Sequence, residues 1–182
     1  MKPEEYVQLK AFARQDGAFL SLALIGGFAL YIMGLSNPTL SLAALVLLAL
    51  SPFLAAKRLL HYRDFVLGGR LTFMRGYAYT ILMFFYSGLL LAAAVYVYFA
   101  FIDKGYLTGT LSHLLSTPAG RQAAEQYGMS EQLADGLRLL SQTRPIDFAF
   151  NTLFSNIFAG LLLGLPIAAF SRREVSSQRK NP

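Results

Sequence analysis

Apolar residues gather along this chain in four long runs, and the charged residues fall between them. The first run, residues 17–36 (GAFLSLALIGGFALYIMGLS), is uncharged and long enough to cross a hydrocarbon core of about 30 Å as a helix. The second, residues 40–56, is also uncharged, but its length of about 26 Å as a helix is close to the minimum for crossing. Lys57 and Arg58 follow it at once and are expected to snorkel toward the headgroups, which makes the short length tolerable. Ser36-Asn37-Pro38-Thr39 between these runs reads as the turn of a tight helical hairpin. The third run, residues 76–102, is longer than a crossing needs. Tyr77 and Tyr79 near one end and Tyr96 and Tyr98 near the other resemble an interfacial aromatic belt. Leu71, Phe73 and Met74 lie just upstream among Arg70, Thr72 and Arg75, so this helix is expected to begin in the interface. The fourth run, residues 148–170, is closed by Arg172 and Arg173.

The pattern predicts an all-α integral membrane protein: one membrane domain over residues 1–182, with four transmembrane helices and a basic loop at 57–75. A short helical extracytoplasmic segment at 103–147 completes it. The first run fits a signal peptide poorly. Glu4, Glu5 and Asp16 precede it and no A-x-A-like site follows, so a retained helix is expected.

The segment at 103–147 is too long for an unstructured connection and reads as helical. Thr117 supplies a capping hydroxyl before Pro118 at the first helical position, and Gly128 ends the stretch AGRQAAEQY. Ser130 is expected to cap EQLADGLRLLSQ, whose Leu133, Leu137 and Leu140 recur at spacings of four and three. Such helices serve either as an amphipathic cap over the bundle or as a docking element for a partner or lipid.

Composition supports the membrane assignment: 55% of the residues are hydrophobic, 14% are charged, and the mean hydropathy is positive. Without tryptophan, tyrosine is the main interfacial anchor. The absence of cysteine rules out disulfides, a thiolate nucleophile and cysteine-based zinc sites. A net charge of +6 could signal a nucleic-acid binder, but the basic residues flank apolar runs instead of lining one polar surface. Lys57, Arg58, Arg63, Arg70 and Arg75 therefore read as contacts to anionic lipid, and no nucleic-acid partner is expected. A soluble partner for the stretch HYRDFVLGGR is the open alternative. Charge also orients the chain. Lys2, Lys10 and Arg14, the five residues of the central loop, and Arg172, Arg173, Arg179 and Lys180 fall on one side. Only Lys104, Arg121, Arg138 and Arg144 fall on the other, so both termini are expected in the cytoplasm.

Candidate chemistry is sparse. No ionisable side chain lies in the middle of a run, which argues against proton relays and intramembrane carboxylate catalysis, and no inverted repeat suggests a transporter. His61 and His113 fall on opposite sides and cannot share a dyad or a zinc site. Asp103 and Asp147 stand where the third and fourth runs emerge, either as an acid pair or as ordinary helix ends. In the fourth run, Asn151, Thr152, Ser155 and Asn156 make a polar stripe, followed by Gly160 and Gly164 in a GxxxG pattern and then Pro166, which should loosen that end. This face reads as helix packing or as a groove for a lipid or partner. Gly26-Gly27 and Ser87-Gly88 offer matching small-residue surfaces.

Three stretches, YRDFVLGGRLTFMRGYAYT, YVYFAFIDKGYL and FSNIFAGLLLGLPIAAFSRR, resemble the four-helix bacterial membrane family known as domain of unknown function 4199. The resemblance implies a Gram-negative inner-membrane protein with no assigned activity, and it supplies no catalytic residue. The expected role is that of a non-enzymatic accessory or scaffold protein of the cell envelope, without cofactor or metal. Its expected partners are membrane lipids, other envelope membrane proteins or a second copy. The alternatives are a small transporter or channel using the polar face of the fourth helix, and a lipid-modifying enzyme using Asp103 and Asp147.

Overall fold

A computed structural model describes residues 3–173, and these are almost entirely helical. In chain order the helices are α1 (Pro3–Gly34), α2 (Pro38–His61), α3 (Phe73–Val97), α4 (Tyr106–Ser116), α5 (Pro118–Gln126), α6 (Ser130–Gln142) and α7 (Pro145–Ser171). A π-helical turn prolongs α2 over Tyr62–Val66, and another prolongs α3 over Tyr98–Ile102. With these turns included, α1, α2, α3 and α7 are four rods of 27–32 residues, each long and apolar enough to cross a membrane. At about 1.5 Å per residue each is longer than a hydrocarbon core of about 30 Å is thick.

Local chemistry sets the helix ends. Asn37 caps α2 by accepting from the Thr39 N–H at 3.1 Å, with Pro38 at the first helical position. Ser41 Oγ donates to the Gly34 carbonyl at 2.7 Å and ties the hairpin between α1 and α2. Thr117 caps α5 through the Gly120 N–H at 3.1 Å, ahead of Pro118. The cap of α6 falls one position earlier than expected: Met129 occupies it and Ser130 is already helical, because Gly128 makes the turn at φ +63°.

The rods extend beyond the apolar runs. α1 starts well upstream of residue 17, because its polar stretch carries an apolar stripe of its own in which Leu9 and Ala13 are fully buried. Residues 57–66 of the expected basic loop are helical, leaving only a short connection before α3. That connection is pinned to the end of α7 by a two-bond bridge: Leu71 N–H to the Arg173 carbonyl at 3.0 Å, and Arg173 N–H to the Leu71 carbonyl at 2.9 Å. Pro166 does not end α7, which runs on through buried Ile167 and Ala168 to Ser171. Lys2, Arg179 and Lys180, which entered the charge asymmetry, lie outside the described residues.

α3 is the central rod, with α1 on one face and α7 on another; α2 packs mainly on α1 and touches α7 lightly. The core joins Leu20 and Leu24 of α1, Leu59 of α2, Met83 and Phe84 of α3, and Ile167 of α7. The bundle end that carries the start of α1, residues 62–72 and the end of α7 is here the tail side. The opposite end, under α4–α6, is the cap side.

Candidate functional site: a buried charge cluster on the tail side

The stripe that buries Leu9, Ala13, Leu20 and Leu24 also contains Asp16, spaced three after Ala13 and four before Leu20. Helical phase therefore turns this carboxylate into the bundle, where it is only 3% exposed. Three helices meet on it. Arg58 of α2 donates to Oδ1 through Nε at 2.7 Å and through Nη2, while the Tyr79 hydroxyl of α3 donates to Oδ2. An unpaired carboxylate at such a position would cost several kcal/mol; here both oxygens are engaged. The Arg58 side chain keeps 35% of its surface exposed, and its guanidinium lies 4.7 Å from the centre of the Phe19 ring. Arg58 is thus the wet edge of a cluster whose acidic centre is dry.

An aromatic ladder extends the cluster toward the tail side. Tyr62, the first residue of the π-helical turn after α2, stacks on Tyr79 with ring centres 4.6 Å apart, and Phe12 approaches Tyr62 at 5.4 Å. Arg75 closes the ladder. It donates to Tyr62 OH at 3.3 Å and Gln8 Oε1 at 3.5 Å, and pairs with Glu5 at 3.6 Å. Its Nε is buried with no hydrogen-bond partner among the described residues. Arg63 bonds Asp64 at 2.7 Å and caps α7 through the Ser171 carbonyl at 3.0 Å. Of the five cations expected at anionic lipid, then, Arg58, Arg63 and Arg75 engage the protein itself, while Lys57 and Arg70 are exposed.

The polar stripe of α7 divides. Asn156 faces α3, where Nδ2 donates to the Phe84 carbonyl at 2.6 Å and to Ser87 Oγ at 3.0 Å. Gly160 and Gly164 lie on the same buried face, against Phe84 and Tyr77. Thr152 donates back to the Phe148 carbonyl at 2.8 Å. Asn151 and Ser155 are exposed and bond each other at 3.1 Å. A helix-facing amide and an exposed one should respond differently to the same change. We expect Asn156→Leu to lower bundle stability by about 1–2 kcal/mol, the range for interhelical hydrogen bonds in membranes, and Asn151→Leu to leave it unchanged. Unfolding midpoints in mixed micelles read the difference, and equal shifts would refute the assignment.

The two acids at the cap side serve helix ends. Asp103 accepts from the N–H groups of Gly105 at 3.0 Å and Leu107 at 3.1 Å, at the start of α4. Asp147 accepts from Arg144 Nε at 2.8 Å in the first turn of α7. His61 packs against Phe65 with ring centres 4.5 Å apart, and His113 lies on α4.

Reading by apolar runs missed Asp16, Tyr62 and Tyr79 as a unit, because a run ends at its first charge. The signal that finds them is helical phase carried back through the polar residues before position 17.

In comparisons with known proteins, the family model described as "Protein of unknown function (DUF4199)" matches residues 15–173. No curated protein and no solved structure matches the chain.

Proposed function

The chain belongs to the DUF4199 family of proteins of unknown function, and on that premise we propose that it is a non-enzymatic accessory or scaffold protein of a bacterial inner membrane. Both termini then lie in the cytoplasm and α4–α6 on the outer side, as the excess of Lys and Arg on the tail side favours. One observation carries this reading: the coverage of α2. Only 17% of its most apolar stretch is buried, against 28–44% for the other three rods. Leu50 and Phe53, on the tail-side half of α2, are 47% and 71% exposed. Asp16 and Asn156 are already committed inside the bundle, Asp16 to Arg58 and Tyr79 and Asn156 to α3. A fixed interior beside an open helix face suits a docking surface better than a solute pathway.

The chain contains no cysteine, so single cysteines report without background. Leu50→Cys and Phe53→Cys are expected to give discrete cross-linked products in native membranes. Phe154→Cys on exposed α7 should give none. Uniform weak cross-linking at all three would mean that α2 faces only lipid, and the scaffold reading would fall. Orientation is read with the same method: Gln126→Cys should react with an impermeant maleimide in intact spheroplasts, and His61→Cys only after lysis.

A second reading is favoured by Asp16 itself, since a buried ionisable group at the edge of a membrane-spanning bundle can belong to a proton or ion path. A transporter would run through Asp16 and not through the divided stripe of α7. Solute or proton flux in liposomes that disappears in Asp16→Asn would support it over the scaffold.

A further inference from the structure

The cap is tied to the rods at both ends. α4 begins at Tyr106, directly after the π-helical turn that ends the α3 rod, and α6 ends at Gln142, just before α7 starts at Pro145. A third tie fixes its edge: Tyr106 OH and Ser36 Oγ share a hydrogen bond of 2.8 Å, joining α4 to the hairpin between α1 and α2. Within these ties the cap is not filled. α5 and α6 contain no buried residue, although each has a pronounced apolar face.

Two open cavities meet there. One, of about 710 Å³, lies between the cap-side end of α2 and α4, and its walls include Leu42, Leu45, His113 and Leu114. The other, of about 480 Å³, lies inside the cap beneath Tyr127, Met129 and Leu133. Leu114 lines both, so the two cavities adjoin at that side chain. Each volume falls within the roughly 300–1,000 Å³ of ordinary ligand pockets. At its lower end the surface includes Leu42 and Leu45, which are 63% and 61% exposed on a rod long and apolar enough to cross the bilayer. Leu42 and Leu45 belong to the uncharged run 40–56, so with that run across the bilayer the surface begins in lipid and ends inside the cap.

We infer that this groove holds an acyl chain of a phospholipid drawn from the leaflet on the cap side. The chain leaves the bilayer along Leu42 and Leu45, passes Leu114 and ends under Tyr127 and Leu133. The headgroup stays at the rim, where His113 and Thr110 supply hydrogen-bonding groups. Continuity with the lipid-facing side of α2 selects this occupant: a water-soluble peptide would have to displace lipid from Leu42 and Leu45 to fill the same space. The inference uses the cap-side half of α2, so it stands apart from the contacts proposed for Leu50 and Phe53.

The chain has no tryptophan, so one introduced indole is the only one in the molecule. Tyr127 is 73% exposed and tolerates the change to Trp. Three variants, Tyr127→Trp, Gln126→Trp and Phe154→Trp, are reconstituted into phosphatidylcholine vesicles with or without bromine on the acyl chains. In brominated vesicles, Tyr127→Trp is expected to lose fluorescence to an extent approaching that of Phe154→Trp, while Gln126→Trp loses little. Adding Leu114→Arg to Tyr127→Trp should remove most of that loss, because the charge blocks the junction of the two cavities. Equal quenching at positions 126 and 127 would mean the cap lies flat on the surface and would overturn the groove. Absent quenching at position 127, with quenching by aqueous iodide instead, would overturn it as well. An unquenched indole at position 154 would instead overturn the bilayer placement of the rods on which the groove depends.

Discussion

Replacing Arg58 by Leu is expected to destabilise the bundle by about 3–5 kcal/mol, more than any neutralising change at Asp16 itself. The asymmetry follows from burial. Asp16 is 3% exposed, so removing its cation leaves a buried carboxylate held by Tyr79 alone. The Arg58 side chain is 35% exposed and can turn its charge outward when Asp16 is neutralised. Asp16→Asn also preserves the shape of the acceptor toward Tyr79, and its effect should be about 1–3 kcal/mol. The double variant Asp16→Asn with Arg58→Leu should be more stable than Arg58→Leu alone, because it removes the stranded charge. Unfolding of the four proteins in mixed micelles gives the coupling energy directly. Additive effects, or a larger loss for Asp16→Asn than for Arg58→Leu, would show that the carboxylate is not held as described.

That cluster also explains how a loosely covered rod is positioned. α2 has few fellow rods to pack on, and its contacts are mainly with α1. In lipid, apolar contact alone gives little preference for one register over another, because hydrocarbon tails solvate leucine as well as a neighbouring helix does. A buried carboxylate bonded to Arg58 on one helix and Tyr79 on another supplies the missing specificity, since a slip of either helix leaves it unpaired. Tyr62 reinforces the arrangement by stacking on Tyr79 from the π-helical turn that follows α2.

The four rods were legible because an uncharged run of this length is rarely anything but a helix crossing a bilayer. Thr117-Pro118 marked the start of α5 for a local steric reason. What escaped depended on phase. Hydropathy stops at Asp16, yet the helix continues upstream to Pro3 and keeps turning that position inward. Lys57 and Arg58 look alike as a pair closing an apolar run. Adjacent helical residues point about 100° apart, however, so Lys57 faces out while Arg58 reaches Asp16. The stripe of α7 divided for the same reason: Asn156 shares a face with Gly160 and Gly164, and Asn151 and Ser155 do not.

Gly160→Ala and Gly17→Ala are each expected to destabilise the bundle by about 1–3 kcal/mol, whereas Gly26→Ala should be neutral or stabilising by up to about 1 kcal/mol. All three lie within apolar helices, and the sequence marks Gly160 and Gly26 alike as small-residue packing positions while leaving Gly17 unmarked. Distance does. A Cβ on Gly160 would sit 2.6 Å from Phe84 Cβ, and one on Gly17 would sit 2.8 Å from both the Met83 carbonyl oxygen and Tyr86 Cβ. None of these atoms is the free end of a flexible side chain, so α3 itself must move. At Gly26 the nearest atom is Leu47 Cδ2 at 3.7 Å, which is ordinary contact, and alanine there gains helix propensity without a clash. The consequences of the two clashes should also differ in place. Gly160→Ala separates α7 from α3 and should weaken the Asn156 bonds, so combining it with Asn156→Leu should give less than the sum of the two losses. Gly17→Ala pushes α1 from α3 one residue away from Asp16, so it should be non-additive with Arg58→Leu instead. Unfolding midpoints for these pairs test the map: if Gly160→Ala coupled to the Asp16 cluster and Gly17→Ala to Asn156, the assignment of interfaces around α3 would be reversed.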